Sequence, residues 1–353
     1  MDTPTTVIDF ADDVARFGYA LEGGAAAPSA WIRARVRPRG GGDGARDVVV
    51  AVEGGRIADV DALECVVRAG AYDELGWRAG GEGYACVCEP SGTTARAREA
   101  TTRMMFEEFN VAGLAFLDGA TCAMYACGRV SGLAVDVGET GSECACVAEG
   151  WTSSATARRI DAGGRAMDAA LATEVRRKQG IDLDMAVARE IRLALGKCAS
   201  TREEYEALAR GCATVECEQE TFTMPNGTAL KLTSELYECG EALMPIVDEM
   251  CECIQKCSPD MRRIVLDGVF VHGVASKVSG LEARLLNELK SALPPSLSPF
   301  FVTIPEYMPE TTWSHAPWTG AALVAKVIFT TNQHISKSDY NENGPPVAHK
   351  GRC

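Results

Sequence analysis

Acidic and basic side chains stand close together in VIDFADDVARFGYALEGG, at residues 7–24, where a strand should turn back on itself. The apolar β-branched run ends at Asp9, the turn carries Asp12 and Asp13, and Arg16 follows. In many α/β proteins such a turn binds phosphate through backbone N–H groups, which favours glycine and disfavours carboxylates. The paired acids therefore predict a turn that repels phosphate.

A similar strand–turn–strand pattern returns in RVSGLAVDVGETGSECACVAEG, at residues 129–150. Its apolar run reaches Asp136, turns through Gly-Glu-Thr-Gly and resumes as CACVAEG. Two such units predict an α/β fold with two related lobes that face each other across a cleft.

Helical periodicity marks several stretches outside these two units. LEARLLNELKSA, for example, carries its leucines on one face of a helix. PNGT at 225–228 predicts a hairpin turn, and the small residues of WTGAALVAK suit a closely packed helix. The predicted helices span residues 98–110, 161–178, 184–198, 202–210, 281–292 and 318–326.

The composition is that of a globular protein with a large core. The 353 residues are 46% apolar and 24% charged, which suits two or three domains or one bilobed body. The net charge of −14 argues against a nucleic-acid or acidic-lipid partner. No apolar run reaches the roughly 18 residues of a membrane span, and MDTPTTVIDF lacks the features of a signal peptide. We expect the arginines of residues 31–46 to line a solvated loop.

The 15 cysteines lie mainly in apolar stretches such as YACVC, TCAMYAC and ECAC. Unpaired cysteine behaves as a small hydrophobic residue, so we expect buried thiols and a reducing compartment inside the cell. CECIQKC, at residues 251–257, has spacing that suits a metal site. Because it has no second CxxC and no histidine nearby, we interpret it as a buried helix face rather than a metal site.

Five stretches carry a resemblance to a known family: RMMFEEFNVAGLAF (103–116), MYACGRVSGLAVDVGETG (124–141), RRIDAGGR (158–165), FTMPNGTALKL (222–232) and ECGEALMP (238–245). The tail that contains ISKSDYNENGP carries it most strongly. These stretches resemble the actin family, and the similarity runs nearly end to end. The resemblance implies the bilobed fold of actin, Hsp70 and sugar kinases, in which a nucleotide lies between two lobes and each lobe offers a phosphate-binding hairpin.

The resemblance also implies where the lobes divide. The first lobe would contain residues 1–126 and 316–353, and the second would contain 127–315 with a helical outer subdomain at about 163–241. Actins carry a small outer subdomain in the first lobe, which we expect to be largely deleted here and reduced to about 34–50. The hydrophobic plug loop of the family also looks shortened. Head-to-tail filament growth needs both surfaces, so we expect no self-polymer.

The first hairpin turn departs from the family. Actins have Gly and Ser there, whereas this chain has Phe10, Ala11, Asp12 and Asp13, and the family's phosphate-contacting Lys falls on Arg16. Arginine keeps the charge but not the compact ammonium group. A carboxylate about 4 Å from a phosphate oxygen costs roughly 4 kcal/mol at an effective dielectric constant of ~20. Two would weaken phosphate binding by several powers of ten, unless Mg²⁺ bridged carboxylate and phosphate.

The second hairpin keeps more of the family's pattern. Asp136, Gly138 and Glu139 match its Asp-x-Gly-acidic turn. A further glycine of that turn is replaced by Thr140. The resemblance therefore implies that this half of a phosphate site is partly retained.

The positions that handle the attacking water are not kept. The family's His beyond the second turn falls on Glu143, and the Gln that positions the water falls on Gly119. A glycine cannot orient or polarise a water molecule. The two side chains that order the attacking water in the family are therefore missing from these positions of the sequence.

The adenosine end of the site departs as well. In the family's Gly-Gly-Thr loop Gly273 remains, but its partner is Val274, whose branched side chain would lie on the approach path. The Lys–Glu pair beside the base becomes Arg192 and Leu193, and a Lys under the base becomes Ser314. We therefore predict a degenerate nucleotide site and no bound cofactor.

Our first hypothesis is a divergent actin-like protein that neither hydrolyses ATP nor polymerises and that acts as a binding subunit of a larger complex. By analogy with relatives, that complex would be of chromatin-remodelling or motor-adaptor type, in the cytoplasm or the nucleus. The protein partner would place an amphipathic helix in the end cleft that residues 313–345 help to form. Neither nucleic acid nor a membrane is expected as a direct partner.

The alternative is a cytoskeletal ATPase that binds Mg-ATP or Mg-ADP. It is favoured by Asp9, Asp136, Gly138 and Gly273, which remain in place. A third possibility, a decaying copy without a selected function, conflicts with the retained pattern at Asp161-Ala-Gly-Gly and in the tail.

Overall fold

Two mixed β-sheets are present in the computed structural model of this chain, which describes residues 3–11, 13–20, 27–36, 48–53, 56–211 and 217–349. The strands within these residues are β1 (Thr5–Phe10), β2 (Val14–Tyr19), β3 (Ala30–Arg33), β4 (Arg35–Val36), β5 (Val49–Val50), β6 (Val52–Glu53), β7 (Arg56–Ile57), β8 (Tyr84–Glu89), β9 (Gly113–Asp118), β10 (Gly132–Val137), β11 (Ser142–Ala148), β12 (Trp151–Thr152), β13 (Arg158–Ile160), β14 (Glu220–Thr223), β15 (Ala229–Leu232), β16 (Val269–His272) and β17 (Ile335–Ser336). The helices are α1 (Val60–Arg68), α2 (Ala95–Glu107), α3 (Gly119–Ala126), α4 (Gly164–Gln179), α5 (Met185–Leu195), α6 (Arg202–Ala209), α7 (Glu238–Glu241), α8 (Ile246–Lys256), α9 (Pro259–Leu266), α10 (Leu281–Ala292), α11 (Ala316–Thr330) and α12 (Lys337–Asn343).

The first sheet has six strands in the order β17–β9–β8–β1–β2–β3. β1 and β2 form an antiparallel hairpin that places Asp9 opposite Arg16, and β1 also pairs in parallel with β8. Every residue of β1 is buried, as expected for a β-branched strand that is covered on both faces. The predicted strand–turn–strand unit at residues 6–21 is confirmed.

The second sheet has the order β12–β11–β10–β16, with β13 also paired to β11. The β10–β11 hairpin places Asp136 opposite Glu143, and β16 pairs in parallel with β10 so that His272 lies opposite Asp136. In both sheets, then, the first strand of the hairpin has a parallel neighbour on its other side. This shared arrangement confirms the predicted repeat.

The predicted helices are present, although several of their ends are shifted. The helix predicted at 98–110 is α2, which follows a cap at Thr94, whose side chain accepts a hydrogen bond from Ala97 N. The amphipathic helix predicted at 281–292 is α10. The turn predicted at PNGT joins β14 to β15.

α11 is longer at both ends than the predicted 318–326, and it packs closely against α3. A Cβ atom at Gly320 would lie 1.7 Å from the carbonyl oxygen of Cys122 on α3, so only glycine allows this approach. Trp318 Nε1 donates to the carbonyl oxygen of Val7 at 3.1 Å and attaches the helix to β1. The small residues of this segment therefore serve helix packing.

Most of the described cysteines are buried thiols, as predicted. The exceptions among the described cysteines are Cys65, which is exposed, and Cys217 and Cys251, which are half-buried. In the part of the chain that the structure describes, no group of three or more His, Cys, Asp or Glu is arranged to hold a metal ion. Among the described helices, none combines the length and the apolar character that crossing a membrane requires.

The connection expected to replace an outer subdomain is described only at its ends. β4 pairs with β5, so that Arg35 lies opposite Val50. Residues 37–47 between them lie outside the described residues. The loss of that subdomain and the boundaries of the two lobes therefore stay predictions.

Candidate functional site

The turns of the two hairpins line one cavity of about 60 Å³. The described site residues that line it are Asp9, Ala11, Gly119, Asp136, Gly138 and Glu143. The other described site residues lie outside its wall: Asp13, Arg16, Glu139, Thr140, Arg192, Gly273, Val274 and Ser314. Asp12 lies outside the described residues. The sheet topology thus brings both hairpin turns together, as the sequence repeat predicts.

Arg16 forms an ion pair inside its own hairpin. Its Nη1 atom donates to Asp9 Oδ2 at 2.6 Å, and both side chains are buried. The ring of Trp31 lies 4.9 Å from the Arg16 guanidinium carbon. Burial raises the pKa of Asp9, and the positive charge of Arg16 opposes that shift. The side chain at the family's phosphate-contacting position therefore faces a carboxylate of its own chain.

Asp13 accepts hydrogen bonds from two arginines. Arg35 Nε donates to its Oδ1 atom at 2.6 Å, and Arg165 Nη2 donates to the same atom at 3.1 Å. Arg165 lies at the start of α4, whose preceding strand β13 belongs to the second sheet, so the Arg165–Asp13 pair connects the first hairpin to the other half of the molecule. Asp13 has φ = 79°, in the left-handed region that Asp tolerates better than most residues.

These contacts correct two expectations from the sequence. Asp13 is not an unpaired negative charge that acts by repulsion alone, because two guanidinium groups neutralise it. Arg35, expected on a solvated loop, turns inward to Asp13 and keeps only 34% of its side chain exposed. The sequence could not show either contact, because the partners lie 22 and 152 residues from Asp13.

Asp136 lies beside a buried histidine and a glycine that cannot be replaced without a clash. His272 Nδ1 is 3.8 Å from Asp136 Oδ1. Burial, assisted by the charge of Arg16, lowers the pKa of His272 to about 3, so the imidazole is neutral at physiological pH. Gly273 has φ = 103°, and a Cβ atom there would lie 2.1 Å from Asp136 Oδ1. Gly273 is thus required by the packing of β16 against β10.

Glu143 is a half-buried carboxyl group in the cavity wall. Burial raises its pKa to about 7, with the negative charges of Asp118 and Asp136 adding to the shift and a hydrogen bond with Ser91 opposing it. At neutral pH this group is therefore divided between its protonated and ionised forms. Gly119, nearby at the first position of α3, offers the cavity no side-chain atoms.

A second buried network lies around Arg192 on α5. Its Nε atom donates to Asp168 Oδ1 at 2.6 Å, and its Nη2 atom lies 3.4 Å from both carboxylate oxygens of Glu139. Arg189, one turn earlier on the same helix face, lies 3.4 Å from Glu139. A Cβ atom on Gly164 would meet Glu139 at 2.6 Å and Arg192 at 2.7 Å. Arg192, from the predicted adenosine end, thus pairs directly with Glu139, from the predicted phosphate end.

Three other predicted positions are Val274, Ser314 and Thr140. Val274 is half-buried beside Gly273. Ser314 Oγ donates to the carbonyl oxygen of Thr311 at 2.8 Å and lies 3.1 Å from His315 Nδ1. Thr140 follows Glu139 in the second turn and makes its own interactions there.

Comparison with known proteins agrees with the arrangement of the two hairpins. The Actin family model matches residues 1–189 and 183–353. This chain belongs to the actin family. It is 33% identical over 325 residues to Actin-related protein 7 from both Oryza sativa subsp. indica and subsp. japonica, with 88% of each chain covered. It is 33% identical over 313 residues to Actin-related protein 7 from Arabidopsis thaliana, with 85% of this chain and 84% of the relative covered.

Membership of the actin family confirms the predicted α/β fold of two lobes around a cleft. Each of the two sheets contains one of the hairpins, and the Asp13–Arg165 pair joins the first hairpin to the start of α4. Sequence reasoning missed Arg165, Asp168, Arg189 and His272, and it expected Arg35 on a solvated loop. Arg165 does stand in RRIDAGGR, one of the stretches that carry the family resemblance.

A larger groove of about 700 Å³ adjoins the cavity between the hairpins, with which it shares Glu89, Pro90 and Ser91. It lies where α11 and the segment after it meet β9, α3 and β12. It is lined partly by apolar side chains, including Tyr125, Trp151, Val324, Val327 and Ile328. Trp151 and Val327 keep 45% and 58% of their surface exposed. This end groove is bordered by residues from the predicted partner-binding segment 313–345.

Proposed function

We propose that this actin-family chain is a nucleotide-independent binding subunit of a larger protein complex, which neither hydrolyses ATP nor forms a filament of its own. The observation that carries the proposal is the carboxylate of Asp13, which stands in the first hairpin turn and binds Arg35 and Arg165. In this arrangement an internal anion joins the two lobes where the family would use the phosphates of a nucleotide.

Electrostatics at the phosphate end supports the proposal. A phosphate group would have to displace Asp13 from two guanidinium groups, and Arg16 from its buried pair with Asp9. Breaking a buried pair by removing one partner costs about 3–5 kcal/mol. Because each 1.4 kcal/mol is about tenfold in affinity, the Asp9–Arg16 pair alone disfavours phosphate contact by roughly two to three powers of ten.

Space in the cleft supports the same proposal. Pockets for ligands of drug size usually measure about 300–1,000 Å³, whereas the cavity between the hairpins measures about 60 Å³. At the base end, Arg192 is fully buried between Asp168 and Glu139, so its charge is already satisfied. The residues present therefore fit a nucleotide poorly in this conformation, and we expect neither Mg-ATP nor Mg-ADP as a resident cofactor.

Partner binding would use the end groove. A groove of this size with apolar side chains in its wall suits the apolar face of an amphipathic helix, which anchors through side chains one turn apart. Val324, Val327 and Ile328 on α11 offer such contacts. By analogy with the family, the assembly would be a chromatin-remodelling or motor-adaptor complex in the nucleus or cytoplasm.

Equilibrium binding of labelled ATP in the presence of Mg²⁺ tests the nucleotide part of the proposal. We expect no saturable binding at micromolar concentrations, and micromolar or tighter affinity would refute it. Asp13→Gly is the informative variant, because glycine keeps the left-handed turn while releasing Arg35 and Arg165. Measurable ATP binding by this variant alone would identify Asp13 as the blocking group.

Affinity purification of the tagged chain from its own cells tests the partner part. We expect co-purifying proteins that are lost with Val327→Asp, which places a charge in the end groove. Leu323→Asp is the matched control, since Leu323 is 45% exposed on the same helix but lies outside the groove wall. Equal loss with both variants would contradict a groove-specific partner.

The second candidate function is a residual ATPase. The observation in its favour is that Asp9, Asp136 and Gly138 still line one cavity with Glu143, whose pKa of about 7 suits a general base. Phosphate release from ATP that is abolished by Glu143→Gln, and that accelerates above a critical protein concentration, would establish it. Under our proposal no such release occurs.

A further inference from the structure

Four cysteines meet at the contact between β11 and α8 in the second lobe. Cys144 and Cys146 are two residues apart on β11, so their side chains point to the same face of the sheet. Cys253 lies on α8, and Cys257 follows four residues later at its C-terminal end, so they share one helix face. All four side chains are buried in the core of this lobe.

Two thiols of this cluster, those of Cys146 and Cys253, are in direct contact. Their Sγ atoms are 3.3 Å apart, and Cys146 Sγ also lies 3.6 Å from the carbonyl oxygen of Cys253. A disulfide needs a separation of about 2.05 Å, so the two sulfur atoms must approach by only about 1.2 Å. They lie 107 residues apart in the chain, so a bond between them would join two separate elements.

The surroundings of Cys253 favour its thiolate. Hydrogen bonds from Cys144, Cys146 and Thr156 lower the pKa of the Cys253 thiol, although its burial opposes that shift. The same hydrogen bonds to Cys253 raise the pKa values of Cys144 and Cys146, which therefore remain protonated donors. The thiolate is the nucleophile in thiol oxidation.

We propose that Cys146 and Cys253 form a reversible disulfide when the protein meets a peroxide, and that this bond cross-links β11 to α8. The Cys253 thiolate attacks one oxygen of the peroxide, the O–O bond breaks, and the other oxygen leaves as water after taking a proton. The sulfenic acid formed on Cys253 is then attacked by Cys146 sulfur, which gives the S–S bond and a second water. Two thiols thereby lose two electrons and two protons, and one hydrogen peroxide becomes two waters.

This site does not depend on whether the cleft binds nucleotide. β11 does, however, carry Glu143 into the cleft one residue before Cys144, so the cross-link would hold a strand that forms part of the cavity wall. A second thiol pair, Cys88 and Cys122 in the first lobe, is also buried and hydrogen-bonded. There the pKa of Cys88 is raised well above its usual value, so this pair supplies an internal comparison.

Peptide mass spectrometry after mild oxidation tests the proposal. The reduced full-length chain is treated with hydrogen peroxide, quenched in acid, unfolded with an alkylating reagent and digested. We expect one cross-linked peptide pair that contains Cys146 and Cys253, a loss of two alkylatable thiols, and recovery of both after a dithiol reductant. Cys253→Ser should abolish the cross-link, whereas Cys251→Ser, a half-buried position on the same helix, should leave it intact.

Other products would overturn the proposal. They include a cross-link only between Cys88 and Cys122, oxidation of Cys253 to an acid that the reductant does not reverse, or unchanged thiols. A stoichiometric zinc ion in the purified chain, with thiols released for oxidation only by a chelator, would also overturn it in favour of a metal site. If circular dichroism shows that Cys253→Ser is unfolded, Cys146→Ser takes its place, and a persisting Cys253 cross-link in that variant would refute Cys146 as the partner.

Discussion

Replacement of Glu143 by glutamine tests whether the burial of this carboxyl group destabilises the folded protein when the group is ionised. Glu143 stands where the family's water-ordering His would fall. Burial raises the pKa of this carboxyl group to about 7, from an ordinary value of 4.5. Between these two pH values the folded protein holds a proton that the unfolded chain has lost. Folding stability therefore falls as the pH rises through this range, because the unfolded state binds fewer protons. Glutamine keeps the shape of the side chain and removes the titration.

The magnitude follows from the two pKa values. At about pH 5.5 the folded protein still holds most of the proton, and the cost of holding Glu143 in the cavity wall is about 1.4 kcal/mol. At about pH 8.5 the group is ionised in both states, and the cost reaches about 3.4 kcal/mol. The stability of Glu143→Gln relative to the natural chain should therefore rise by about 2 kcal/mol between these pH values.

Urea unfolding followed by circular dichroism measures this difference across the pH series. A matched control is Glu190→Gln on α5, an exposed position whose change removes one negative charge from the molecule without touching the cavity. The control should show no comparable growth in stability with pH. The slope of free energy against urea should be the same for all three proteins, because their folded states bury the same surface.

Two results would refute this reasoning. A Glu143→Gln variant that is destabilised equally at every pH would mean that the carboxylate makes favourable contacts that glutamine cannot replace. A variant that is more stable than the natural chain by the same amount at every pH would mean that Glu143 stays ionised throughout the range. Either outcome would also remove the support that this group gives to general-base chemistry in the second candidate function.

Three further substitutions test the cleft networks by urea unfolding. Arg192→Met should lower the free energy of unfolding by about 3–5 kcal/mol, because it leaves two buried carboxylates without their cation. Adding Asp168→Asn should recover part of that loss. Full stability of the single variant would contradict the buried network. Arg16→Met should cost a similar amount and be relieved by Asp9→Asn, since the two side chains form one buried pair; additive losses would show that they act independently. Gly273→Ala should cost more than about 1–3 kcal/mol, because it combines a left-handed φ with a steric clash; a neutral effect would refute the close approach.

The strands and helices could be predicted because their signals are local. The β-branched run that ends at Asp9 and the leucine stripe of α10 each specify their element within a dozen residues. Helix ends were less accurate, because caps depend on single side chains such as Thr94. The length of α11 was underestimated, because residues 316–317 and 327–330 lie outside the small-residue stretch on which the prediction relied.

The candidate site could be predicted in position but not in its chemistry. The repeat of two hairpins predicted correctly that Asp9 and Asp136 would line one cavity. The charge balance of that site could not be predicted, because Arg165 contacts Asp13 from 152 residues away in the chain. Repulsion of phosphate by Asp13 would require its carboxylate to be unpaired, whereas in the fold Arg35 and Arg165 both donate to it.

The pattern of pairing in the cleft bears on how such a site is lost. Drift that only removed nucleotide contacts would leave charges without partners, and an unpaired buried charge costs several kcal/mol. Here Arg16, Asp13 and Arg192 all occupy positions that resemble nucleotide-contacting positions of actins, and each has an opposite charge within 3.4 Å. Under the proposed function the Asp13–Arg165 pair replaces the ligand as the connection between the lobes, and the other two pairs keep the charges within each lobe balanced. A chain of this kind would keep its closed form without nucleotide, so its melting temperature should not change when Mg-ATP is added.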